Sequence, residues 1–84
     1  MEKCYITFRS VTFAQRGERI LEKAGIRAML QRTPGWMEEQ GCGYCLRLAR
    51  RDVQRAVQLL RGSRVPLRRV YCQEGDGELK ELVL

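Results

Sequence analysis

A chain of 84 residues makes one domain with a modest core and little room for a deep pocket. Its net charge of +6 comes with no histidine, which excludes Cys–His pairs, Ser–His–Asp triads and histidine metal sites and leaves cysteine as the side chain for chemistry. It holds no apolar run of about 18 residues that would suggest a membrane span.

The N-terminal MEKCYITFRS lacks the long apolar segment of a secretory signal, so the expectation is a cytoplasmic protein with reduced thiols. A secreted disulfide framework is the alternative that four cysteines raise. Residues 1–72 carry fifteen Lys/Arg against six acids, whereas 73–84 carry one Lys against four. This divides the chain into a basic domain, 1–72, and an acidic C-terminal extension, 73–84, packed on or near it. A basic body suits an anionic partner or is an ordinary solvated surface.

Cys4–Arg9 alternates, with Cys4, Ile6 and Phe8 on one face, and reads as a strand. Ser10 stands where an N-cap belongs. The helix after it carries Phe13, Ala14, Gly17, Ile20, Leu21 and Ala24 on one side, with Gly17 explained by close approach to the sheet and Gly25 as left-handed C-cap. Ile26–Gln31 is a second strand, ended by Thr33-Pro34-Gly35. A loop runs to about Gly41, and Tyr44–Leu48 is a third strand with Tyr44, Leu46 and Leu48 inward and Cys45 and Arg47 on the other face. Asp52 is the expected cap of a second helix with Val53, Ala56, Val57 and Leu60 at helical spacing, closed by Gly62. Leu67–Cys72 is a fourth strand. Glu78–Leu84 reads as a short helix in preference to an edge strand.

The order βαββαβ predicts an α+β, ferredoxin-like two-layer sandwich with a short C-terminal extension. The expected sheet order is 4-1-3-2, with strands 1 and 3 parallel and both helices on one face. That arrangement puts Cys4, Cys42, Cys45 and Cys72 at one edge of the sheet, with Cys4 and Cys72 opposite one another, and the helix N-termini at the far edge.

The stretch Thr33–Leu48 carries the chemistry. Cys42 and Cys45 form a C-x-x-C that runs into a strand, unlike the helix-opening pair of a dithiol oxidoreductase. Gly41 and Gly43 leave Cys42 approachable, and Arg32 and Arg47 flank the loop as sources of positive field that favours a thiolate. Trp36 and Met37 are either core-packed or a docking surface for a partner protein. A zinc site needs four ligands, and only one CxxC is present, so no metal is expected. Cys4 and Cys72 read as buried core residues. An RNA-binding sheet stacks bases on exposed aromatics of its central strands. Here Tyr5 is the one aromatic recognised on that face, so nucleic acid is not the expected partner. A small basic protein- or nucleic-acid-binding module without chemistry is kept as the alternative function.

Ile6-Thr7-Phe8-Arg9-Ser10, Ala24-Gly25-Ile26, Thr33-Pro34, Cys42-Gly43 and Leu46-Arg47, in this order and spacing, resemble the bacterial selenium/sulfur carrier protein-like family over roughly residues 4–72. The resemblance implies a chalcogen carried as a persulfide or perselenide on Cys42, with Cys45 as a resolving thiol. It implies a carrier or accessory protein with no cofactor. The implied partners are a cysteine desulfurase or selenocysteine lyase-type donor and an acceptor protein. A homodimer fits the exposed edge strands, and no membrane is involved.

Overall fold

The computed structural model describes residues 2–33, 43–73 and 78–83. Two helices, α1 (Val11–Lys23) and α2 (Val53–Gly62), pack with a five-stranded antiparallel sheet. The strands are β1 (Lys3–Thr7), β2 (Ala28–Arg32), β3 (Tyr44–Ala49), β4 (Val70–Gln73) and β5 (Leu79–Glu81), in the order β2-β3-β1-β4-β5. The first four therefore lie in the expected order, and this part of the chain is α+β as read from the sequence.

One relation differs. β1 and β3 are antiparallel, with Thr7 opposite Cys45 and Lys3 opposite Ala49. The crossover through α1 makes β1 and β2 the parallel pair, and β3 returns between them, antiparallel to both. The start of β3 thus lies beside the end of β1, not its beginning.

The core forms between the inward rows of the strands and the two helices. Cys4, Ile6, Phe8, Leu46, Leu48, Val70 and Cys72 come from the sheet side, and Ala14, Leu21, Val53, Ala56, Val57 and Leu60 from the helices. The four-residue stripe of α2 is wholly buried, as its spacing required. Each such aliphatic side chain contributes about 1.5–3 kcal/mol on burial. Gly17 is where the layers approach most closely: a Cβ there would lie 3.2 Å from Leu60, 3.3 Å from Leu46 and 3.3 Å from Phe8.

The helix ends show which sequence signals were obeyed. Ser10 Oγ accepts from the Phe13 amide at 3.2 Å. At the other end of α1, Gly25 takes φ +80°, while its amide and that of Ile26 donate to Glu22 and Leu21 carbonyls. This is the paired-bond termination that a left-handed residue permits. Asp52, the expected cap of α2, makes no capping hydrogen bond; it ends a single 3₁₀ turn, Arg50–Asp52. Gly62 is the last residue of α2, as expected. Ser63 is the C-cap, and Arg64 adopts φ 59°, with the Arg64 and Val65 amides donating to Arg61 and Leu60 carbonyls.

The C-terminal segment forms β5, an edge strand on β4, in place of the helix the sequence suggested. Seven residues are too few to offset helix nucleation, whereas β4 offers a ready row of backbone partners, extended by Leu82 N donating to Val70 O. The opposite edge is also partly covered: the outward amide of Leu30 on β2 donates to Glu18 of α1 at 3.2 Å. Both features blunt the edge pairing that an exposed strand invites.

Candidate functional site

Where β3 begins, Gly43 has φ +84°, a conformation that favours glycine. Its carbonyl accepts from the Thr33 amide at 2.8 Å, which closes the ladder between β2 and β3. Cys42, Gly41, Trp36 and Met37, four of the candidate site residues, lie outside the described residues. Gly43, Cys45, Arg32 and Arg47 can be placed.

Arg32 and Arg47 are not brought together. Arg32 is opposite Tyr44 and shares its face of the sheet; its guanidinium stands 5.6 Å from the Tyr44 ring centroid. Arg47 is on the other face, two residues beyond Cys45, and donates to Met29 Sδ at 3.1 Å. Only Arg32 is beside the strand start.

Cys45 is on the sheet face opposite the helices, as its parity predicted, yet it is 0% exposed. Among the described residues it is the cysteine outside the Cys4–Cys72 pair. Its cross-strand partner Thr7 is also fully buried. The Thr7 hydroxyl accepts from the Arg69 amide at 3.0 Å and donates to the Arg69 carbonyl at 3.3 Å. The Thr7 amide donates to Arg69 O, and the Thr7 carbonyl accepts from Arg68 N. Two consecutive residues thus serve one, in the manner of a bulge, and the buried hydroxyl is satisfied.

Cys4 and Cys72 are cross-strand partners, as the topology suggested, and they are joined as a disulfide in the core. Reduced thiols were expected, so this is a departure, and it has a plain geometric reason. Adjacent antiparallel strands bring the two inward-facing side chains together, and both are shielded from solvent. The grouping of four thiols at one sheet edge is not formed. Cys4 and Cys72 lie toward the start of β1, whereas Cys45 lies at its end and on the other face.

The reversal of β3 also changes the electrostatics. α1 begins after β1 ends, so its N-terminus is at the end of the sheet where β3 starts. The sequence reading put both helix N-termini at the far end; that holds for α2 alone. The positive end of a helix dipole favours an anion by about 0.3–1 kcal/mol nearby.

One surface feature was overlooked in the sequence. With Val70 and Cys72 inward, Tyr71 must face outward, and the register sets it opposite Tyr5. A continuous row crosses the open face of the sheet: Met29, Arg47, Tyr5, Tyr71, Glu81. The strand parity was available from sequence, but the pairing of the two tyrosines needed the register.

Among the described residues no helix is long and apolar enough to cross a membrane, and the clefts are open surface grooves. No curated protein matches the chain, and no solved structure does. A family model does match, over most of the chain and across both helices and the first four strands. The chain belongs to the family described as "Putative Se/S carrier protein-like", whose model covers residues 3–72.

Proposed function

We propose that this ferredoxin-like domain carries sulfur or selenium on Cys42 as a persulfide or perselenide, in the cytoplasm, and delivers it to an acceptor protein. The observation that carries this reading is family membership over residues 3–72, a span that includes Cys42. The other cysteines leave Cys42 the role: Cys4 and Cys72 are bonded to each other, and Cys45 is fully buried. Gly43, the residue after Cys42, is at the sheet end that holds the N-terminus of α1, whose dipole favours thiolate over thiol.

In the first step the Cys42 thiolate attacks the terminal sulfur of a donor enzyme's persulfide. A new S–S bond forms at Cys42, the donor's S–S bond breaks, and the donor cysteine leaves as thiolate. No external oxidant is consumed. An acceptor nucleophile then attacks the terminal sulfur and releases Cys42 thiolate. Selenium follows the same course from a perselenide. If Cys45 resolves the adduct, its thiolate attacks the Cys42 sulfur, forms a Cys42–Cys45 disulfide and expels hydrosulfide or hydroselenide. The complete burial of Cys45 makes that branch depend on opening of the first residues of β3. Trp36 and Met37 supply the docking contact for donor or acceptor, with Gly41 and Gly43 leaving the thiol approachable.

The test is labelled-sulfur transfer from a cysteine desulfurase, read by intact mass and peptide mapping. The reading expects the added mass of one chalcogen atom on Cys42. Equal uptake by Cys42→Ser and the wild type sinks it.

A further inference from the structure

We infer that the open face of the sheet is a binding site for single-stranded nucleic acid, independent of chemistry at Cys42. Tyr5 and Tyr71 are directly opposed on adjacent central strands and both are partly exposed. Neighbouring strands lie about 4.8 Å apart, so the two side chains form one aromatic platform on a face that neither α1 nor α2 covers. Arg47 flanks Tyr5 on β3, and Lys3 follows the same face of β1. Beyond them the face opens into a groove of about 580 Å³ lined by Lys3, Arg27, Arg47 and Arg51, with Glu2 and Asp52 as the acids. Two stacking positions bordered by a cationic channel match the two demands of an unpaired strand, whose bases offer π faces and whose backbone offers phosphates.

The surroundings of the tyrosines select this occupant. The core of a protein interface is depleted in charge, whereas Lys3, Arg47, Gln73 and Glu81 border this pair. A second copy of the chain would bring one cationic groove against another. Single-stranded nucleic acid is neutralised by the same groove and stacks on the same rings.

The experiment is fluorescence anisotropy with labelled dT12 and rU12 and the full chain at low salt. Saturable binding is expected, with a logarithmic salt slope of about −2 to −3 from three or four phosphate contacts. Tyr5→Ala and Tyr71→Ala should each weaken binding roughly 5- to 150-fold. Tyr5→Phe and Tyr71→Phe should retain it, which separates ring stacking from a folding defect. Arg47→Ala should weaken binding to both oligonucleotides and flatten the salt slope by about 0.7. Cys42→Ser should bind as wild type does, so the carrier reading and this one fail separately. The inference is overturned by no saturable binding, by duplex binding as tightly as single strand, or by alanine at both tyrosines leaving affinity unchanged. Displacement by polyglutamate as readily as by unlabelled oligonucleotide also overturns it, since that reports a surface for acidic proteins.

Discussion

Removing the Cys4–Cys72 bond tests the core most directly. The two residues are 68 positions apart, so the bond closes nearly the whole chain into a loop. In the chain-entropy description a loop of that size is worth about 4.4 kcal/mol at room temperature, near the upper end of the usual 2–5. A chain of this length has roughly 4–13 kcal/mol of total stability, so loss of the bond removes a third or more of it. With a urea dependence of about 1–1.5 kcal/mol/M for a small domain, the midpoint should fall by about 3–4 M. Because both sulfurs are buried, native-state reduction must pass through opening of the β1–β4 pair.

Two assays follow. Urea unfolding with and without reductant gives the stability difference, and Cys4→Ala/Cys72→Ala compared with reduced wild type isolates the small cavity left by the sulfurs. Thiol titration of denatured, unreduced protein should count two free cysteines of the four, rising to four after reduction. Four free thiols without reductant, or a midpoint shift below about 1 M, would refute the reasoning.

The helix ends and the tight contact at Gly17 give further outcomes, all read by denaturant unfolding. Ser10→Ala should cost about 1 kcal/mol, because its hydroxyl caps the Phe13 amide. Asp52→Ala, a similar change by sequence logic, should cost less than about 0.5 kcal/mol: it caps nothing, and its contact with Arg51 at 3.9 Å is exposed on the arginine side. Arg64→Gly should stabilise by about 0.5–1 kcal/mol, since Arg64 holds a left-handed conformation that glycine adopts without steric cost. Gly17→Ala sets about 1 kcal/mol of helix propensity against about 1–3 kcal/mol of overpacking. Leu60, Leu46 and Phe8 are themselves fully buried and cannot retreat, so a net loss of about 1 kcal/mol is expected.

Local patterns were legible in the sequence because they encode local physics. The alternation of Cys4, Ile6 and Phe8, the Ser10 cap, the Gly25 termination and the Val53–Leu60 stripe each appear as read. What escaped depends on partners distant in sequence. The C-terminal residues carry no strong strand signal of their own, and only the free side of β4 recruits them. The capping role given to Asp52 passed to a 3₁₀ turn, and the left-handed position after α2 fell to Arg64, which no side-chain preference announces. Parity assigned Cys45 to the open face, but its complete burial there, together with that of its cross-strand partner Thr7, is announced by no spacing.

The direction of β3 has the largest functional consequence. Had β3 run parallel to β1, the cysteines would have shared one end of the sheet, and metal binding or thiol exchange among them would have been natural. Antiparallel pairing divides them. The Cys4–Cys72 bond sits in the core toward the start of β1, where Cys4 faces Leu48, whereas Cys45 faces Thr7 at the other end of that strand. The end where β3 begins keeps Gly43, Arg32 over Tyr44 and the N-terminus of α1. A carrier benefits from this separation. A persulfide is an electrophile as well as a nucleophile, and an accessible second thiol beside it would discharge it as hydrosulfide before an acceptor arrived. Two of the remaining sulfurs are held in a covalent bond and the third is shielded completely. The same topology that stabilises the core therefore also keeps Cys4, Cys72 and Cys45 away from solvent.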